Sequence, residues 1–414
     1  MYERSVPLGM SSGRDTSDSD RRSTTATVGV ILGASLISMG LAAFEIVPAS
    51  VTPMIRESLQ IGPSLAGLIV SIMFGIAVLT SLPAGIVLDR TNSRVAIAAA
   101  TFVLLIAGGW AWYAGVNGEY WSVILSRAFA GVAYVVVWNA GIDVVSRGVS
   151  FSNQATAVSV FTASGPLGFA LGQGAGPIVA RHFGWPAIFL VFNGITVLGL
   201  VIFWPASTGL GRSEGAAPSL QEFRTVIQSR DVWTVGFLGF LSYSLYLFVN
   251  TWGSSYLTEE IGLTLAVSGF LVAAFPAVGV ISRIGGGFLS DRLFESRRRP
   301  ILYGSFGLAA PLLLLFTHVR SIPVLAGVLL LSGFAIQLSL GLTFTYVREL
   351  VDIRVAATAV AFQTSIGLTG AFLSPIAGGV VVEKAGFGTA FFLAGVLAIV
   401  GILVTKSAQE PTRL

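Results

Sequence analysis

A chain in which one half repeats the other can fold in few ways, and this one repeats itself. Gly85-Ile-Val-Leu-Asp89-Arg90 and Gly287-Phe-Leu-Ser-Asp291-Arg292 share a Gly-xxx-Asp-Arg pattern, each at the end of a long apolar run. The three matched residues are offset by 202 positions in a chain of 414, so the molecule reads as a tandem duplication. Both copies leave the apolar phase into a short basic loop. If such loops face the cytoplasm, an even number of membrane crossings separates them.

The medium follows from composition. Hydrophobic residues make up 54% and charged residues 11% of the chain, and mean hydropathy is +0.82. Soluble domains do not have such usage; an integral membrane protein does. The net charge of +4 does not signal nucleic acid, because the basic residues sit in short loops rather than on one stripe. With no Cys and two His, disulfides, thiolate metal sites and Fe–S clusters are excluded, and His182 and His318 fall in loops of opposite halves, so no metal centre is expected.

Apolar windows of about 20 residues lie near 28–50, 64–88, 95–114, 120–145, 155–180, 185–205, 232–256, 264–289, 300–317, 321–345, 355–382 and 386–405. They form six crossings on each side of a polar stretch at 206–231, which reads as a linker with a short amphipathic helix on the membrane surface. Residues 1–27 read as a disordered tail and 406–414 as a second tail. With both tails placed in the cytoplasm, eighteen of the 24 basic residues fall in cytoplasmic segments and four in outer loops, while Arg127 and Arg283 lie inside crossings. That asymmetry sets the expected orientation. Short loops and the lack of an Asn-x-Ser/Thr site fit a prokaryotic inner membrane.

Six plus six crossings, a central cytoplasmic loop, and Gly85, Asp89, Arg90 and Arg94 after crossing 2 resemble the major facilitator superfamily over roughly residues 28–405. The resemblance implies an all-α membrane fold of twelve transmembrane helices in two pseudo-symmetric six-helix bundles. It implies a secondary transporter that rocks about a central site, with no cofactor and no enzymatic step. It also casts the repeated loop (Gly85, Asp89, Arg90, Arg94; Gly287, Asp291, Arg292) as a gating latch. There Gly permits close helix approach, Asp accepts bonds at a helix terminus and Arg reaches a carboxylate on the facing bundle. Asp143 resembles the family's acidic partner of that loop, and Glu349 occupies the comparable place after crossing 10. Both also read as ordinary interfacial acids.

Charges inside a bilayer cost about 2.5–3.5 kcal/mol even on the lenient insertion scale, so they need a reason. Glu45, Arg127 and Arg283 are the three. Glu45 and Arg127 lie at similar depth, roughly 8 and 10 Å from the outer ends of crossings 1 and 4. Arg127-Ala-Phe-Ala-Gly131 resembles the family's Arg-xxx-Gly proton-transfer signature, which makes Glu45 and Arg127 a candidate proton-coupling pair. A permanent structural ion pair is the competing reading. Arg283 resembles the residue that contacts the anionic substrate in monocarboxylate and nitrate porter branches. The nitrate porters' second Arg, on crossing 2, has no counterpart near Ser81, Leu82 and Pro83, which leaves a small organic anion.

Tyr243, Tyr246 and Asn250 share one face of crossing 7 and could line a solute site, with Gln173, Gln337, Gln363 and Asn139 as further polar candidates; each amide alone is more often an interhelical tie. Trp252 and Tyr256, near the outer end, read as interfacial anchors. Gly168, Gly172 and Gly176 give crossing 5 a bare face expected to serve the bundle interface, as do the glycines of crossing 11. The expected partners are a small-molecule substrate, protons and the lipid bilayer, with the protein a monomer. Anion uptake by proton symport and proton-coupled drug efflux both stay open. No nucleotide-binding loop is present, and a passive channel is the rival from another class.

Overall fold

The computed structural model describes residues 24–150, 153–210, 220–295 and 297–411, without the side chains of Asp89, Asp291 and a few neighbours and without the surroundings of Gly287. Residues 1–23 of the expected tail, 211–219 of the linker and 412–414 lie outside it, as do the latch side chains of Asp89 and Asp291. Among the described residues the structure is helical and contains no strand.

The first half comprises α1 (Thr24–Ser50), the short α2 (Thr52–Leu59), α3 (Pro63–Arg90), α4 (Ser93–Val116), α5 (Tyr120–Arg147), α6 (Gln154–Phe183) and α7 (Ile188–Ala206). After α8 (Leu220–Gln228) comes the second half. It comprises α9 (Arg230–Glu259), α10 (Leu265–Ala277), α11 (Gly279–Leu293), α12 (Arg299–Phe316), α13 (Ile322–Glu349) and α14 (Ala356–Ser407). Among the described residues, ten helical segments are long and apolar enough to cross a membrane. The count of twelve crossings is reached by two further features.

The 30-residue α6 is less apolar because Gly, Pro and Gln interrupt it, yet it runs the full depth of the molecule. The 52-residue α14 would extend about 78 Å at 1.5 Å per residue, far beyond a hydrocarbon core of about 30 Å. Gly386, at φ 78° and ψ 171°, breaks it into two crossings. Only glycine takes that backbone without a steric cost. Crossing 8 is also divided, at Val278 between α10 and α11.

The packing is pseudo-symmetric. Within the first half α1 lies between α6 and α7, and α5 between α3 and α4; in the second, α9 packs on α14 and α13, and α12 on α13 and α14. The halves meet along two equivalent seams, α3 with the first arm of α14, and α6 with α10. Twelve crossings bring the ends of α1 and α14 to one face, called here the terminal face, with the opposite one the far face.

Several expectations change at this level. The bare stripe of α6 does not serve the seam but packs on α1 in its own half. A β-carbon at Gly172 would sit 2.9 Å from the Ala43 carbonyl oxygen, and one at Gly176 2.7 Å from Val47 Cγ2. The α6–α10 seam is made instead by Gly269, whose added β-carbon would be 2.5 Å from the carbonyl oxygen of Gln173. Pro177 leaves that carbonyl without its helical donor. In α14, Gly367, Gly370 and Gly378 face α9, and Gly379 faces Pro63 and Ser64 of α3.

Trp252 and Tyr256 are buried, not interfacial. Their helix α9 is enclosed by neighbours, and the two polar tips bond to the Pro375 carbonyl (3.1 Å) and the Thr317 carbonyl (3.2 Å). The linker helix α8 docks on the protein: its Phe223 ring meets Phe362 of α14 edge-on at 6.3 Å, beside Trp233 of α9, which meets the same ring edge-on at 5.1 Å.

Candidate functional site

Near mid-depth, side chains from both halves converge. Glu45 comes from α1, Tyr134 from α5, Tyr243 and Tyr246 from α9, and Arg283 from α11. Glu45 and Arg283 both lie within electrostatic range of all three tyrosines. The sequence supplied four of these five. Tyr134 was missed, although it stands seven residues after Arg127 and so on the same face of crossing 4.

Each side chain is held by local features of its helix. Arg283 begins the second turn of α11, just past the break at Val278. The break frees the carbonyls of Phe275 and Pro276, and Gln337 Nε2 of α13 donates to both, at 2.9 and 3.4 Å. Gly341 lets α13 approach the Arg283 backbone: an added β-carbon there would lie 3.2 Å from its carbonyl oxygen. The guanidinium is 5.9 Å from the Tyr246 ring centroid. It makes no hydrogen bond or ion pair among the described residues, and its Nε is buried without a partner. A buried guanidinium without a counter-charge at membrane depth carries a desolvation cost, and its planar donors have the geometry to bind an anion.

Tyr246 belongs to a slab of three rings. Phe169 of α6 stacks on it at 5.4 Å and 21°, and Phe275 of α10 at 5.7 Å and 25°. The Phe169–Tyr246 contact crosses between the halves. One turn farther out Gln173 Nε2 donates to the Asn250 carbonyl at 2.6 Å, and Ser254 donates to Gln173 Oε1 at 3.4 Å. At the far rim Arg56 pairs with Glu259 at 2.7 Å, and Ser64 donates to Glu383 at 2.9 Å. These polar ties between the halves all lie from mid-depth to the far face. A cavity of about 360 Å³ beside Arg56 and Glu259 belongs to that rim, away from the central cluster.

Arg127 takes a place different from the one expected. Its carboxylate partner is not Glu45, because its donors go to backbone carbonyls. Nε bonds Ile69, Nη1 bonds Phe44 at 3.2 Å, and Nη2 bonds Glu45 at its carbonyl at 2.7 Å. The cause is Pro48 in α1, which has no N–H to offer the Phe44 carbonyl four residues earlier. Glu45, 2% exposed, feels Arg127 through space while its carboxylate takes none of those bonds.

Of the other amides, Gln363 ties two helices, its Nε2 bonding Thr343 Oγ1 of α13 at 3.3 Å, while Asn250 Nδ2 bonds the Tyr246 carbonyl one turn back on its own helix α9 at 2.8 Å.

At the terminal face the expected latch is rearranged. Arg94 does not cross to the other half; it bonds Ser207 Oγ (3.0 Å) and the Trp204 carbonyl (2.9 Å) and covers the Trp204 ring at 3.9 Å. Asp143 accepts from Ser93 at 2.6 Å and pairs with Arg147 one turn on. Glu349 pairs with Arg298, a residue the motif did not single out, at 2.5 and 2.8 Å. Arg298 also bonds Ser290 Oγ at 2.7 Å, and Glu410 caps the start of α12. These bonds stay within their own halves. Gly85 and the exposed Arg90 and Arg292 border the same loops.

Against known proteins, the profile of the Major Facilitator Superfamily matches residues 30–375. The chain is 24% identical to the cis,cis-muconate transport protein of Acinetobacter baylyi, over 76% of this chain and 78% of that one. It is 23% identical to a D-galactonate transporter of Escherichia coli (84% and 87%) and 23% to the hexuronate transporter of Bacillus subtilis (87% and 89%). A bacterial homolog of the human lysosomal transporter Spinster, solved inward-facing and unoccupied, superposes with TM-score 0.80 at 14% identity, over 93% of this chain and 98% of that one.

Proposed function

This chain belongs to the Major Facilitator Superfamily and is a multi-pass membrane transporter, and from that premise we propose that it carries a small organic anion, coupled to protons, by alternating access. The observation that carries the reading is Arg283, a guanidinium at mid-depth without a hydrogen-bond partner among the described residues. Its planar donors fit a carboxylate, and the relatives named for muconate, galactonate and hexuronate support an organic anion as cargo.

Glu45 is the proton-accepting group of this proposal. Arg127 is spent on backbone carbonyls, so protonating Glu45 leaves Arg283 as the charge that the solute neutralises. Proton and anion then enter together, since each lowers the cost of burying the other. The ties between the halves from mid-depth to the far rim support a state closed to the outside, with both chain ends in the cytoplasm. Gln173, Gln337, Gln363 and Asn250 act as braces around the site, and the loops at Asp89 and Asp291 act as the latch of the opposite state. The bare stripe of α6 is accounted for by packing on α1, so it gives no support to drug efflux.

The test is uptake of labelled carboxylates into proteoliposomes with and without an inward proton gradient. Gradient-driven uptake, counterflow against unlabelled solute, and loss of both in Arg283→Ala are expected. Uptake that saturates at equilibrium without counterflow would describe a pore, and full activity in Arg283→Ala would remove the anion receptor.

A further inference from the structure

We infer that the solute is a carboxylate with a flat, unsaturated body and few hydroxyl groups, rather than a polyhydroxy acid. This rests on the proposed reading of Arg283 as anion receptor and specifies what surrounds it.

The surroundings are rings. The Arg283 guanidinium looks onto Tyr246, which is the middle ring of the Phe169–Tyr246–Phe275 slab. On the other side Tyr134, within electrostatic range of Arg283, meets the Phe74 ring edge-on at 5.8 Å. The slab itself is buried, so a conjugated body meets the half-buried rings of Tyr134 and Tyr243 beside it, by the offset or edge-on contact that aromatic groups prefer.

A polyhydroxy body needs something else, namely a ring of amides and hydroxyls that replace the water on each OH. The candidates for that role are committed or sealed. The NH₂ groups of Gln173, Gln337 and Gln363 are bound to neighbouring helices. The amide oxygens of Asn250, Gln337 and Gln363 have no protein partner, but they are closed off from any solvent-sized group. Ser242 and Ser339 bond each other at 2.7 Å and their own helices besides. Among these groups, what stays open is the outer end of the guanidinium, whose Nε is sealed like the amide oxygens, and the half-buried Tyr134 and Tyr243, enough for one or two carboxylate groups. A sugar acid would lose the water on its chain of hydroxyls without replacement, and such unpaired groups are what a site rejects most strongly.

The experiment compares benzoate, cinnamate and cis,cis-muconate with gluconate and galacturonate on the wild-type protein. One arm measures the shift of the thermal midpoint in detergent, the other competition for counterflow. The flat carboxylates are expected to act at concentrations at least tenfold lower than the sugar acids. Tyr134→Leu, which removes the ring but keeps an apolar side chain, is expected to cut that preference at least threefold. If gluconate or galacturonate acts as well as benzoate and still depends on Arg283, the inference about the body fails and the anion reading stands. If no carboxylate shifts the midpoint or exchanges, both fail.

Discussion

The relation between Arg127 and Pro48 can be measured as a coupling energy. Pro48 removes the donor that the Phe44 carbonyl would have in a regular helix, and Arg127 Nη1 supplies one from α5 at 3.2 Å. Arg127→Met keeps side-chain length and removes the donors. The Phe44 carbonyl, in a fully buried residue, then loses about 1–3 kcal/mol as an unpaired buried acceptor. The carbonyls of Glu45 and Ile69 sit in helical turns that still have their own donors, so each adds only about 0.6 kcal/mol, the average for bonds within membranes. Relief of the guanidinium's desolvation works in the opposite direction, which makes the single substitution hard to read. The cycle avoids this. Pro48→Ala restores the missing N–H, so in the Arg127→Met background it should recover about 1–3 kcal/mol, and in the wild type less than about 0.5 kcal/mol. Reversible unfolding in mixed micelles, followed by tryptophan fluorescence, gives the four free energies. Additive effects, with a coupling below about 0.3 kcal/mol, would refute the account of Arg127 as the donor that answers Pro48.

Glu45→Gln is expected to abolish accumulation driven by an acid exterior while solute counterflow persists; an unchanged proton dependence in vesicles would remove Glu45 from the coupling step. At the far rim, the half-exposed Arg56–Glu259 pair contributes at most about 1 kcal/mol. Arg56→Ala should therefore raise the outward-open population by up to about fivefold. The chain has no Cys, so the labelling rate of Ser254→Cys by an impermeant thiol reagent reads this directly, and a rate that does not change would mean that the rim is not a gate. Gly386→Ala places a β-carbon on a backbone at φ 78°. It should cost about 1–2 kcal/mol, visible as a lowered thermal midpoint; no change would mean that α14 can bend elsewhere.

The duplication, the twelve crossings and the all-helical fold are legible in the amino-acid sequence alone, because lipid leaves the backbone few options and apolar length sets each crossing. The three charges inside the membrane are equally visible there, since burying a charge is costly wherever it occurs. Their partners are not. Glu45 and Arg127 share a depth, which suggests an ion pair, but depth says nothing about direction around a helix axis. Arg127 turns instead to the carbonyl that Pro48 has released. The glycine stripe of α6 shows that something packs closely there, and tertiary contact decides that it is α1 rather than the other half. Tyr134 and Phe169 resemble any membrane aromatics until the halves come together around Arg283. Trp252 reads as an interfacial anchor from its position near a helix end, and becomes a buried donor because α9 is enclosed. One-dimensional spacing records how deep a group lies and which helix face it shares. Which neighbour that face meets is set by the packing of all the helices at once, and that is where the site acquires its chemistry.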